Sequence, residues 1–407
     1  MRRWFKTAAI VLPALAIAGA SASAAMSSVL AGRLPEQAVN FPIVDAEAYV
    51  NLAVDSAIDA GAADDDPNRT VATLAMRAFR REPTSSKAIS ALAVERQVSG
   101  DYDGAQLLYA DALLLAPRNR VANLALIESG SRRGALRMVL DRYDVLLRTG
   151  GMTSEMLFDV LATALREPAM VPHADAILAR DPPWARTFWL KVAQNDPAIA
   201  NVGQLRLRQT ARGRENPAGN DAAIVGRLVG AGELDLAYRL FRAVTGPDDD
   251  GNAYLRNGSF DRAPEYAPFD WATYSDARYG ADVDAAAGSL VVFAESPSDS
   301  LVARQLVKLP AGDWRLSVAL QDTGEAAGTA LTVAIRCATS ANGQRIPVES
   351  DSVSAIVRHR SGCPFSYVEV FARKIGPASE IAPDVVIDSI ALTPAGGDGP
   401  SQLRSER

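Results

Sequence analysis

The chain has 407 residues, a formal net charge of -6, 48% hydrophobic residues and 22% charged residues. It is too long for one ordinary core, and its near-average composition excludes both a disordered chain and a multi-span membrane protein. From Gly251 to Thr393 there are 17 acidic against 12 basic residues, a balance that argues against nucleic acid, whose phosphates require a clustered basic surface.

Arg2, Arg3 and Lys6 precede an uncharged run of 26 residues, from Thr7 to Gly32. Its apolar part, Ala8 to Ile17, passes into Ser-Ala alternation, in which Ala22-Ser23-Ala24 offers a signal-peptidase site. Met26, Val29 and Leu30 continue the run beyond that site, and its length exceeds the ~20 residues that span a bilayer. Residues 1–33 therefore read as a single N-terminal anchor in a bacterial inner membrane, with the basic flank inside and the bulk in the periplasm. The alternative is a cleaved signal peptide that leaves a soluble periplasmic protein.

Helical periodicity fills 45–247. After Gly100-Asp101, residues Ala105, Tyr109 and Ala112 fall at i, i+4 and i+7, and Pro117 closes the helix. The preceding helix, Lys87 to Gln97, carries Ile89, Leu92 and Ala93 on one stripe. Pro83 and Pro117 stand 34 residues apart. A second small-then-aromatic step, Ala237 and Phe241, follows a helix around Ala222 to Val229. Between them, 135–147, 154–165 and 185–192 keep the helical period without these marked positions. Over about 85–120 and 218–245 the chain resembles tetratricopeptide-repeat proteins. That resemblance implies a superhelical scaffold whose concave face binds a protein partner. The other reading is an irregular helical bundle.

Asp248-Asp249-Asp250-Gly251 marks a solvated linker over 248–254, and Asp64-Asp65-Asp66 marks a loop of the same kind. Three adjacent carboxylates cannot converge on calcium as spaced loop ligands do.

After Asn257 the period becomes two. Trp314, Leu316, Val318 and Leu320 alternate with Arg315, Ser317 and Ala319, and Leu331, Val333, Ile335 and Cys337 form another such set. Further strands are expected at 289–294, 301–309, 353–358, 367–372 and 385–393. About eight short strands over 255–394 predict an antiparallel two-sheet sandwich or jelly roll. The overall expectation is multidomain α then β, with a polar disordered tail over 395–407.

Cys337 and Cys363 are the two cysteines, with no C-x-x-C spacing. In an exported domain they predict a disulfide, worth roughly 3 kcal/mol in the chain-entropy model. Two buried thiols are the other reading.

The β segment resembles the galactose-binding-like jelly rolls that include many carbohydrate-binding modules. The likeness rests on Asn257-Gly258-Ser259-Phe260-Asp261, Pro268-Phe269-Asp270-Trp271, the hairpin Leu309 to Leu316 and the closing Val386 to Leu392. It implies a possible structural calcium held by Asp261 and Asp388, with backbone carbonyls completing the shell. Sugar rings stack their C–H faces on aromatics, and the loop-rich segment offers Tyr266, Trp271, Tyr274 and Tyr279 for this, with Asp270, Asp276 and Arg278 as hydrogen-bonding partners. The competing reading of each ring is core packing.

His173 and His359 are the only histidines, and neither G-x-S-x-G nor H-E-x-x-H occurs, so no catalysis is expected. His359, between two arginines, reads as a solvated strand end. In domain order the chain resembles accessory proteins of bacterial exopolysaccharide systems. This implies a non-catalytic scaffold whose repeats hold a protein and whose sandwich contacts polysaccharide. The alternative is a docking scaffold of the cell envelope that binds no sugar.

Overall fold

The computed structural model describes residues 18–59, 67–149, 153–193, 198–246, 254–321, 328–375 and 382–395. The first 17 residues of the expected anchor, nearly all of the expected linker and nearly all of the expected tail lie outside them. Helices occupy the N-terminal half and a two-sheet antiparallel sandwich follows. By packing, the chain divides into one unit of residues 1–157 with 182–184, and another of 158–181 with 185–407.

The first unit contains α1 (18–31), α2 (Pro35–Ala38), α3 (Ala46–Asp59), α4 (Pro67–Arg81), α5 (Ser86–Val98), α6 (Tyr102–Leu115), α7 (Arg120–Arg132) and α8 (Leu136–Thr149). Side chains of Ser85, Asp101 and Asn119 accept from the third backbone N–H of α5, α6 and α7, satisfying donors that the helix itself leaves orphaned. Alanines at 75, 78, 88 and 91, and again at 93, 105, 112 and 122, are buried where neighbouring helices meet. Small side chains there let the helix axes approach closely.

Residues 23–31 of the uncharged run take part in this packing. Ser27 Oγ donates to Ala38 O at 3.1 Å and accepts from Asp45 N–H at 2.8 Å, while Ser23 Oγ accepts from Ile43 N–H at 3.0 Å. Among the described residues no helix is long and apolar enough to cross a membrane.

α9 (Thr153–Ala164) spans the division. The second unit continues with α10 (Met170–Leu178), α11 (Ala185–Val192), α12 (Ile199–Ala211), α13 (Ala218–Gly230) and α14 (Leu234–Thr245). Arg206 of α12 is buried and grips both carboxylate oxygens of Asp221 at 2.7 and 2.9 Å while donating to Arg214 O at 2.8 Å. A buried pair of this kind holds because both carboxylate oxygens are met by the fork of the guanidinium.

Among the described residues ten strands follow: β1 (Ala272–Thr273), β2 (Tyr279–Asp284), β3 (Ser289–Ala294), β4 (Ser300–Lys308), β5 (Gly312–Leu320), β6 (Thr329–Cys337), β7 (Gly343–Val348), β8 (Ser352–His359), β9 (Phe365–Lys374) and β10 (Val385–Pro394). They form sheets ordered β1-β4-β9-β6-β7 and β2-β3-β10-β5-β8. The core between them holds Val302, Leu331, Val333, Val368 and Val370 from the first sheet, and Trp314, Leu316, Val318, Ile390 and Leu392 from the second.

α14 joins the sandwich through rings. Phe241 stacks on Phe269 at 5.1 Å, Tyr238 meets Phe269 at 5.5 Å and Phe365 at 6.0 Å, and Phe241 meets Tyr266 at 6.1 Å. Lys308 pairs with Asp235 at 2.8 Å beside them. Cys337 and Cys363 form a disulfide with Cα atoms 5.8 Å apart, tying the end of β6 to the turn before β9. His359 corrects the solvated-end expectation. It is buried, with Nδ1 donating to Pro310 O at 3.2 Å and Nε2 accepting from Ser366 Oγ at 3.0 Å. The carbonyl only accepts, so Nδ1 carries the proton in this arrangement.

Candidate functional site

The residues singled out for a sugar platform do not form one. Trp271 is buried to 1% exposure, packs on Phe260 and donates from its indole nitrogen to Asn257 O at 3.0 Å. It is a core residue, because the Asn257-to-Phe260 turn folds over it. Tyr266 is also buried, packed on Phe241, and burial first, then Glu265 and Asp221, raise its phenol pKa. Asp270 is buried and accepts from Trp271 N–H at 2.8 Å and Glu265 N–H at 3.3 Å. Burial pushes its carboxyl upward against those bonds and against Arg256. These three build the loop that α14 packs against and offer nothing to a ligand.

Arg278 is exposed, and its backbone N–H, like that of the half-buried Tyr279, donates to Asp276 in the turn entering β2. Asp261 and Asp388 are both exposed. Asp388 sits at a β-bulge in β10, and Asp261 lies 3.5 Å from Arg262. Gly258 O accepts from Ile390 N–H, so the Asn257 turn does abut the last strand. Among the described residues no group of three or more His, Cys, Asp or Glu assembles to hold a metal ion. The calcium expectation therefore gains no side-chain cluster here.

The one predicted ring that joins a constructed surface is Tyr274, which enters it from the end of β1. In the sheet β1-β4-β9-β6-β7 the inward parity is aliphatic, and register places Arg304 of β4, Tyr367, Glu369, Phe371 and Arg373 of β9, and Thr332, Ala334 and Arg336 of β6 on the outward parity. Arg345 of β7 stands opposite Ala334. The Arg304 guanidinium lies 5.4 Å from the Tyr274 ring and 4.9 Å from Tyr367, and Arg336 lies 4.9 Å from Tyr367 again. Arg336 grips Glu369 through both carboxylate oxygens at 2.9 and 2.7 Å. Arg345 covers Phe371 at 4.5 Å and pairs with Asp299 at 2.7 Å.

Between these groups lies a pocket of about 380 Å³, lined by Ala334, Arg336, Ala341, Gly343, Arg345, Glu369 and Phe371. Its floor is low because Ala334 and Gly343 project little. A Cβ on Gly343 would lie 2.5 Å from Arg336 Cβ and 2.7 Å from Ile335 O, so glycine is what lets β7 lie against Arg336. At the other end of this face Lys308 and Phe365, opposite one another in register, are covered by Tyr238 of α14. Tyr274 is partly withdrawn from water, and burial, followed by the neighbouring Tyr367 and Glu369, raises its phenol pKa against the lowering effect of Arg304.

Rings interleaved with paired Arg and carboxylate groups around an open pocket suit a polyhydroxylated ligand. Hydroxyls find donors and acceptors fixed by their own ion pairs, and C–H faces find apolar edges.

No protein-family model matches the chain, and no curated protein matches it. Among solved structures the chain is similar to TmCBM61, described in complex with β-1,4-galactotriose, at 16% identity over 35% of this chain and 97% of that one, with a TM-score of 0.24. It is also similar to a CBM4 structure at 14% identity over 34% and 99%, with a TM-score of 0.25. At this level no ligand and no site residue passes from those proteins to this chain.

Proposed function

We propose that this chain is a non-catalytic accessory protein of exopolysaccharide assembly or export, which contacts glycan through the outward face of β1-β4-β9-β6-β7 and holds a protein partner on its helical repeats. The observation that carries the glycan reading is the asymmetry of the sandwich: one outward face bears Tyr274, Tyr367 and Phe371 with paired charges around a pocket, and the other bears Phe293 and Val291 on β3, exposed Arg315 and Arg358, and otherwise mainly small residues. The tetratricopeptide-like pattern of α5–α6 and α13–α14 supports the scaffold role. So do Leu107, Leu114 and Leu115, exposed along α6 where a partner would cover them. A periplasm-facing location is supported by the basic start, the uncharged run to Gly32 and the disulfide.

The test is calorimetric titration of the full chain with a panel of neutral and acidic bacterial exopolysaccharide fragments. Binding should weaken about tenfold in Tyr367→Ala, corresponding to about 1.4 kcal/mol, and stay unchanged in Ser354→Ala on the opposite face. Absence of heat with every glycan would sink the reading and leave a protein-docking sandwich in its place.

A further inference from the structure

Within the glycan-binding reading, the charges on the β1-β4-β9-β6-β7 face select among glycans. Of four guanidiniums on this face, those of Arg336, Arg345 and Arg373 share two carboxylates and that of Arg304 is left over. Glu369 is taken by Arg336 through both oxygens. Asp299 is divided between Arg345 at 2.7 Å and Arg373 at 3.5 Å. Arg304 stands directly opposite Glu369 in register, yet it has no carboxylate within 4.0 Å among the described residues, and its Nε is buried without a hydrogen-bond partner. What holds it are the Tyr274 and Tyr367 rings, at 5.4 and 4.9 Å. The surplus positive charge is local, because the chain as a whole carries -6.

A half-buried guanidinium between two rings gains cation–π attraction, but its N–H donors remain unspent and part of its hydration is lost. The group that fits it is a planar anion, met through two parallel N–H···O bonds. Because the rings already restrain the side chain, little further rotamer freedom is lost on binding.

We infer that this face takes an acidic glycan, with Arg304 receiving the carboxylate of a uronic acid residue while the pocket between Arg336 and Phe371 takes a neighbouring sugar ring. The inference rests on the glycan-binding reading and narrows it to a substrate class.

The experiment titrates the full chain with oligogalacturonate and with the same oligosaccharide after its carboxyls have been reduced to primary alcohols. The acidic form is expected to bind at least about tenfold more tightly, with the difference shrinking as salt is added. In Arg304→Gln the difference should close while the weaker binding of the reduced form persists. Arg304→Lys, which keeps the charge without the fork, should restore part of it. Equal or tighter binding of the reduced form by the native chain overturns the inference and leaves the glycan reading standing. If neither form binds while neutral fragments of the panel do, the inference falls alone; if nothing in the panel binds, both fall. Equally tight binding of an oligothymidylate overturns the assignment to sugar acids. The comparison of acidic and reduced forms needs no variant, so it decides the matter even if substitution at Arg304 disturbs folding.

Discussion

The sandwich has two outward faces built on one core, and they differ in what they carry. On β2-β3-β10-β5-β8 the outward positions are Val291 and Phe293 on β3, Ser389, Ala391 and Thr393 on β10, Arg315, Ser317 and Ala319 on β5, and Ser352, Ser354, Ile356 and Arg358 on the edge strand β8. Their contacts are long and exposed, such as Ser317 to Ser354 at 3.4 Å. On β1-β4-β9-β6-β7 the equivalent positions hold rings, guanidiniums and the nearly buried Glu369. A sheet that only needs to meet water can do so with serine. Partly desolvating Arg and Glu side chains on the other face carries a cost that serine and alanine avoid.

Substitutions test this contrast, beginning with the core that both faces share. Trp271→Ala should destabilise the sandwich by about 3–5 kcal/mol, seen as a lower denaturant midpoint, because it opens a large cavity and removes one of the two N–H groups that Asn257 O accepts from. If the mutant kept native stability but lost glycan, Trp271 would be a binding residue after all. Next in size is Glu369→Ala, which strands Arg336 and should cost about 2–4 kcal/mol, less than a fully buried pair because the arginine is 22% exposed. A loss comparable to that of a surface residue would remove the energetic distinction between the faces.

Gly343→Ala pushes β7 from Arg336 and should cost about 1–3 kcal/mol while weakening glycan binding, which a parallel titration would read. A smaller effect concerns pH. Tyr274 has a raised pKa in the fold, so its neutral form is favoured there; the stability it contributes is complete below the unfolded phenol value near 10 and is lost as pH rises through the folded value. Tyr274→Phe should flatten that alkaline limb of the stability curve, and an unchanged limb would place the sensitivity elsewhere. Smallest of all, Ser317→Ala with Ser354→Ala should stay within about 0.5 kcal/mol of the native chain and leave glycan affinity intact. Loss of binding in that double variant would invert the comparison.

Much of the architecture was legible beforehand. β3, β5 and β6 alternate because one face is aliphatic, and α6 with Ala105, Tyr109 and Ala112 announces its buried stripe. β7 did not show itself, since three of its first residues are exposed and Pro347 interrupts its pattern on a sheet edge. β2, with glycine and two aspartates, was hidden for a similar reason.

The site was less legible than the fold. The outward parity of β9 reads Tyr367, Glu369, Phe371, Arg373, a departure from the small polar residues of an idle face, and that signal was present. What one strand cannot carry is register: nothing in the sequence says that Glu369 stands opposite both Arg304 and Ala334, or that Arg336 reaches it first. Trp271 misled for the opposite reason. It occurs in a loop-rich stretch full of tyrosines, where its surroundings resemble a platform, and only the closure of the Asn257 turn over it decides the matter.

The ring cluster between α14 and the sandwich also decides how the molecule can be dissected. A fragment beginning just after the acidic run would leave behind Tyr238 and Phe241 and carry Tyr266, Phe269 and Phe365 with one side stripped bare. Such a fragment would present a sticky aromatic patch at one end of the β1-β4-β9-β6-β7 sheet, and self-association there would pass for ligand binding in any assay that reads mass. A cut placed ahead of α10 keeps the cluster whole.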